Sequence, residues 1–208
     1  MSKIANSNFY DSYWIEKNTI ENEITVGMKS VLSLIPKDSK SFLDTACGQG
    51  ALLLELRRCG FKSIKGFDIS TAPVKICRKK GLDVGLASLD DPLKFADNSF
   101  DCVICCNAFM HAFDAASALN ELKRVSKKYV IIYVPNALYL TYRLNYLFGA
   151  LPIFLSDKYS HTRVYSVKKL VALAKECGLK IKKKKFDGKF SPLSNSLFSS
   201  GFGFLLEK

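Results

Sequence analysis

The residues of this 208-residue chain whose types and spacing could do chemistry begin with Asp44, Gly48 and Gly50. In Phe42-Leu43-Asp44-Thr45-Ala46-Cys47-Gly48-Gln49-Gly50 a buried-strand pattern ends in a carboxylate and runs into a glycine-rich turn. Eighteen residues past Gly50, a second strand-like run, Ser63-Ile64-Lys65-Gly66-Phe67, closes on Asp68. Lacking a Cβ, Gly48 and Gly50 let the backbone turn tightly and let a ligand approach it. A carboxylate closing the next strand is placed to accept hydrogen bonds from two ribose hydroxyls. The dinucleotide fingerprint would put a third glycine at position 53, which is Leu53. A carboxylate at position 44 repels phosphates and favours a cationic amino-acid group, so the expected ligand is nucleoside-like and carries no pyrophosphate.

Positioning these groups takes alternating strands and helices. Apolar stretches of about five residues alternate with helical patterns, which argues for right-handed β-α-β units and a mostly parallel sheet covered on both faces. Ile24, Met28, Val31, Leu32 and Ile35 predict an amphipathic helix within 20–34. A second helix should run from Ala51 to Cys59, stopped by Gly60, and a third from Ala115 to Ser126. Pro135 should end the fifth strand, Ser166 should open a helix that stops at Gly178, and 179–186 and 203–207 should be the last strands. The stretch 137–165 is too long for a simple connection and holds Tyr139, Tyr142, Tyr146, Phe148, Phe154, Tyr159 and Tyr165, which predicts an inserted lid. Its aromatic, apolar character suits a ring-containing or lipid-like acceptor; the same spacing suits core packing, and a third reading lays Leu138 to Phe148 in a membrane interface. The N-terminal Phe9-Tyr10-Asp11-Ser12-Tyr13-Trp14 is read either as folding over the ligand or as pinning the terminus.

Composition bounds these readings. With 48% hydrophobic and 24% charged residues the chain has ordinary globular composition. We expect a single domain over 1–208, made of a cap and helix (1–38), a cofactor-binding half (39–136), an acceptor lid (137–165) and a C-terminal helix with strands (166–208). No run approaches the ~20 apolar residues of a membrane span and no signal-peptide pattern opens the sequence, so the expected location is cytoplasmic. The seven cysteines include Cys102, Cys105 and Cys106 in an apolar strand; a strand points Cys102 and Cys105 to opposite faces, and no metal site is expected. The net charge of +12 is uneven: residues 1–104 hold 14 Lys/Arg against 13 Asp/Glu, and residues 105–208 hold 17 against 6. A basic half permits an anionic acceptor, peripheral contact with an anionic membrane, or nucleic acid. Lys180 to Lys185 read best as a solvated edge strand, where lysines block edge-to-edge pairing.

At these residues the sequence resembles the class I S-adenosylmethionine-dependent methyltransferases, whose first motif is an acidic residue followed by G-x-G-x-G. Asp44 to Gly50 matches, with Ala46 where the first glycine is usual. The resemblance continues through Ser88-Leu89-Asp90-Asp91-Pro92-Leu93-Lys94-Phe95-Ala96-Asp97-Asn98-Ser99-Phe100-Asp101, similar to the family's acidic-x-x-x-P-L-P-F-x-D-x-S-F-D run, and through Cys102 to His111, Glu121 to Ser126 and Tyr129 to Asn136. It is close over about 40–136 and loose over 160–208; four motifs in order are a strong signal where one would be weak. It implies a Rossmann-like, doubly wound α/β fold, a mostly parallel seven-stranded sheet with an antiparallel C-terminal strand. It implies S-adenosylmethionine as cofactor, held by Asp44, Ala46, Gly48 and Gly50, by Asp68 at the ribose, by Ile69 as an apolar wall of the adenine slot, by Ser88, Leu89 and Asp90 at the adenine, and by Cys106.

A sulfonium methyl is intrinsically electrophilic, so such an enzyme mainly aligns an acceptor and excludes water. His111 follows the fourth strand at the expected mouth and titrates near neutral pH, which makes it the first candidate base; His161 is the second, and Asn107 could orient the acceptor. No Asn/Asp-Pro-Pro-aromatic motif follows the fourth strand, so methylation of exocyclic amines in DNA bases lacks its usual signature. The expected acceptor is a small or lipid-linked molecule. The rivals are an RNA methyltransferase and a non-catalytic, cofactor-binding partner protein.

Overall fold

The computed structural model describes residues 9–14, 23–150, 162–187 and 197–208. Seven strands form one sheet: β1 (Ser41–Asp44), β2 (Ser63–Asp68), β3 (Val84–Leu86), β4 (Phe100–Cys106), β5 (Ser126–Pro135), β6 (Lys180–Phe186) and β7 (Gly201–Glu207), in the order β3-β2-β1-β4-β5-β7-β6. Pairings from β3 across to β5 are parallel, and β7 runs antiparallel to both of its neighbours. This is the expected Rossmann-like architecture.

The middle of the sheet is buried on both faces because its central strands carry nearly continuous apolar runs. Along β4, Cys102, Ile104 and Cys106 pack with Phe42, Leu52, Leu56, Val31 and Leu34 on one face, while Val103 and Cys105 pack with Leu119, Leu122, Val130 and Leu170 on the other. Period-2 alternation therefore separates the cysteines as expected, and all seven are free thiols. Helices α1 (Val26–Leu34) and α2 (Ala51–Arg58) supply the first face, and α4 (Ala115–Val125) and α6 (Val167–Glu176) the second. Between β2 and β3 lies α3 (Thr71–Lys79). Caps follow local chemistry: Thr25, Asp114 and Ser166 each accept a backbone N–H in the first turn of α1, α4 and α6.

Some boundaries differ from the sequence reading. The fifth strand starts directly at Ser126, where α4 ends, because Ser99 and Asn98 donate to Val125 and Arg124 and carry β4 alongside that junction. The first helix begins at Val26, at the Thr25 cap. Of the predicted lid, α5 (Leu140–Leu147) is described and has no buried residue; 151–161, with Phe154, Tyr159 and His161, lies outside the described residues. Strand β6 is the sheet edge and Lys182 to Lys185 are exposed on it, as the solvated-edge reading required.

Parallel strands put their C-terminal ends on one side of the sheet. Asp44, Asp68, Leu86, Cys106 and Pro135 close their strands there, and the order reverses between β1 and β4. Open α/β sheets bind ligands at such a crevice.

Candidate active site

A cavity of about 600 Å³ opens over those strand ends. The chain after β1 turns through Gly48 and Gly50, with φ of 51° and 84°, and Gly50 then caps α2. A side chain at either would be strained, and a Cβ on Gly48 would sit 3.2 Å from the Trp14 ring, so glycine keeps the loop open for close approach. Ala46 is not among the positive-φ residues, which explains why alanine serves where the motif usually has glycine. Asp68 fixes this loop from the next strand: its carboxylate accepts the N–H of Gly48 at 2.8 Å and of Ser70 at 3.0 Å.

Ten of the sequence-predicted residues line the cavity: Ala46, Gly48, Asp68, Ile69, Ser88, Leu89, Asp90, Cys106, Asn107 and His111. Asp44 and Gly50 do not line it, though their chain neighbours Thr45, Gln49 and Ala51 do, and His161 lies outside the described residues. Asp90 turns one oxygen to the N–H of Phe113 at 2.8 Å, and its own N–H donates to Ser88 Oγ at 3.2 Å, which shapes the end of the β3 loop. Asn107 has a φ of 54°, a left-handed conformation that few side chains other than Asn and Asp adopt readily; it turns the chain off β4 into the cavity while its N–H bonds Tyr133 at 3.0 Å. Strain of that kind at a cavity wall is typical of residues with a functional role.

The far wall is built from Glu23, Thr25, Met28 and Pro135, which sequence reasoning missed, and from Tyr142 of the predicted lid. The same reasoning also missed the partner of His111. The Tyr10 hydroxyl lies 2.7 Å from His111 Nδ1 and 3.0 Å from Nε2, across 101 residues of sequence. The helical segment 9–14 is docked by Asp11, which accepts the N–H of Thr71 at 2.8 Å at the start of α3, and Trp14 covers the Gly48 turn. Folding over the site, one of the two readings of this segment, describes what is seen. The C-terminal half supplies Cys106, Asn107, His111, Pro135 and Tyr142 to the cavity, but none of the described lining residues is Lys or Arg; the lysines of 180–185 lie on the β6 edge.

Burial pushes the Asp44 carboxyl up to about 7, opposed by the Ala46 N–H and reinforced by the neighbouring Asp68 charge. Burial also raises Asp68. Folded Asp44 thus keeps a proton that the unfolded chain, near 3.8, has released, so its contribution to stability is fully present below about pH 4 and is lost as pH rises through about 7. A cation binding beside it favours the carboxylate. Titrating the protein with a sulfonium ligand at pH 6 should therefore release a proton, and affinity should rise by up to about tenfold per pH unit below 7. Calorimetry in two buffers of different ionisation enthalpy reads this; equal heats in both would refute the Asp44 account.

Residues 43–134 match the profile of a family described as "Methyltransferase domain". The match spans the glycine loop, Asp68, the Ser88–Asp101 run and both central strands. These residues form a methyltransferase domain. Its structure is similar to that of magnesium protoporphyrin IX methyltransferase from Synechocystis, solved with bound S-adenosylhomocysteine, at a TM-score of 0.74 and 15% identity with both chains fully covered. It is also similar to an S-adenosylmethionine-dependent methyltransferase from Archaeoglobus fulgidus, at 0.72 and 19% identity, covering 95% of this chain and 100% of the other. The [4+2]-cyclase SpnF shares the fold as well, at 0.65 and 14% identity over 87% and 79% of the two chains. At such identities the likeness carries the fold alone; the domain match and its motifs carry the methyltransferase assignment. No curated protein matches the chain in sequence. Among the described residues of this methyltransferase, no helix is long and apolar enough to cross a membrane and no group of three acidic, Cys or His side chains is placed to hold a metal.

Proposed function

We propose that this methyltransferase acts on a small-molecule or lipid-linked acceptor, with the cofactor over β1 to β4 and the acceptor against the wall formed by the N-terminal segment, the start of α1 and Tyr142. The observation that carries this reading is the 600 Å³ cavity itself, which is of small-molecule size and is lined largely by aromatic and apolar side chains. When bound, S-adenosylmethionine supplies an electrophilic methyl carbon. Asp68 is the ribose ligand in this reading, Ile69 and the Ser88–Asp90 backbone hold the adenine, the Gly48 turn admits the amino-acid portion, and the Asp44 charge behind it complements a cation. Ala46, Gly50 and Cys106 shape the same loop and strand end.

His111 is the general base of the proposal, oriented by Tyr10, whose hydroxyl oxygen accepts the ring N–H and leaves the other ring nitrogen to take a proton; Asn107 directs the acceptor. Converting His111 to Ala should lower kcat by about 10²–10⁴-fold if proton removal limits turnover. The 137–165 lid remains part of the reading. Tyr142 faces the cavity while Leu147 and Phe148, 76% and 80% exposed, lie on the outer side of α5, an arrangement suited to peripheral contact with a membrane that holds a lipid-linked acceptor. The cytoplasmic, single-domain expectation belongs to the same reading.

The RNA alternative draws on the exposed lysines of β6. A labelled methyl group offered from S-adenosylmethionine to a cell extract should appear in the small-molecule or organic-extractable fraction. Label confined to RNA, with RNA binding that falls steeply and linearly in log salt, would replace this acceptor class by nucleic acid.

A further inference from the structure

The acceptor end of the cavity is aromatic and acidic. His111, Tyr10, Tyr13 and Trp14 form a chain of edge-to-face rings with centroids 5.2, 6.4 and 5.4 Å apart, and Tyr142 contributes to the lining from α5. The charged residues among the described lining are Glu23, Asp68 and Asp90, all acidic. Asp68 belongs to the cofactor end, at the tip of β2. Glu23 does not: it precedes α1, the helix that packs across β4, β5 and β7, and so lies on the far side of the crevice from β2.

We propose that the acceptor subsite recognises an ammonium group, and that this methyltransferase modifies an amine. The proposal rests on the small-molecule reading above and narrows it. Aromatic faces attract a cation through their quadrupole, most strongly where water is excluded, and a carboxylate at the mouth raises the local concentration of positive ligands. An anionic acceptor would meet Glu23 with no compensating cation among the described lining residues. One feature acts the other way: the N-terminus of α1 points its partial positive charge at this wall. It is blunted, because Thr25 Oγ1 already accepts the Met28 N–H at 3.2 Å and Glu23 stands beside it. The chemistry balances with residues at hand. An ammonium must shed a proton before its nitrogen has a lone pair, and the unprotonated ring nitrogen of His111 takes it; the lone pair then forms the new N–C bond and the electrons of the broken C–S bond stay on sulfur.

Binding, rather than turnover, tests this. The protein is first titrated with S-adenosylhomocysteine; failure there would defeat the cofactor reading and leave the acceptor question separate. The saturated protein is then titrated by calorimetry at pH 7.5 with ethanolamine, hexylamine and tyramine, each beside its alcohol (ethylene glycol, hexanol, tyrosol) and its carboxylate (glycolate, hexanoate, 4-hydroxyphenylacetate). At least one amine should bind about tenfold more tightly than its alcohol, with the carboxylate weaker still. That preference should fall by about threefold or more in Glu23→Gln and in Tyr142→Leu, while their affinity for S-adenosylhomocysteine is retained. A panel in which no amine outbinds its two counterparts, silence across the panel included, overturns the proposal, as does a preference untouched by both substitutions.

Discussion

Asp68→Ala should bind S-adenosylhomocysteine about 100-fold or more weakly than the unaltered protein while remaining folded. Two charge-assisted hydrogen bonds to a ribose diol are each worth ~1.5–3 kcal/mol, and ~1.4 kcal/mol is a factor of ten. The structure adds a second contribution. The same carboxylate holds the Gly48 N–H at 2.8 Å and the Ser70 N–H at 3.0 Å, so its loss also releases the turn against which the ligand must lie. Asp68→Asn keeps an acceptor for one of these contacts and should retain more affinity than alanine. Calorimetry on the three proteins, with circular dichroism to confirm the fold, gives the answer. Unchanged affinity in the alanine variant would remove Asp68 from the site, and equal losses in both would deny the carboxylate its part in ordering the loop.

Gly201→Ala should be the most damaging small substitution in the C-terminal half. A Cβ at Gly201 would collide with the Tyr133 hydroxyl and stand 2.7 Å from Tyr133 Cζ, and a Cβ at Gly27 on α1 would stand 2.9 Å from the same ring carbon. The ring is thus held between α1 and the start of β7. It cannot retreat cheaply, because its hydroxyl and that of Ser30 both donate to the buried carboxylate of Asp187, and burial and that bond hold the phenol protonated. Displacing Tyr133 leaves Asp187 short of a donor in a dry setting, so the loss should be about 3 kcal/mol or more, a fall in Tm of roughly 6–12 °C for a chain of this size. Gly81→Ala is the control: it forces alanine to a φ of 68° with open space around it, and should cost only about 1 kcal/mol. Thermal unfolding of both decides; a Gly201→Ala protein no less stable than Gly81→Ala would mean that the Tyr133–Asp187 cluster yields easily.

Much of this was legible in the residues because the signals are local. A strand that ends in Asp44 and runs into Gly48 and Gly50 declares a turn whatever packs around it, and Asp68 declares the next strand end in the same way. Continuous apolar runs such as Cys102 to Cys106 declare strands covered on both faces, and their period-2 alternation separates Cys102 from Cys105 without reference to any partner. Capping residues Thr25, Asp114 and Ser166 mark helix starts by a hydrogen bond three residues long. The lysines of 180–185 declare an edge because no interior strand can solvate them.

The sequence by itself therefore determined the fold class, the glycine turn and the carboxylates of Asp44 and Asp68 at the strand ends, each a consequence of backbone permissiveness, periodicity or charge within a few residues. Only the tertiary structure decided what surrounds the reacting group. Tyr10 meets His111 across 101 residues because the 9–14 segment docks on α3 through Asp11, and Glu23, Thr25 and Tyr142 share a wall because α1 packs across β5 and β7 beside the exit of β5. Net charge was silent on the cavity for the same reason. A sum over residues 105–208 carries no information about which side of the sheet each lysine faces, and burial at the strand ends selects carboxylates and rings for the cavity while leaving the lysines to water.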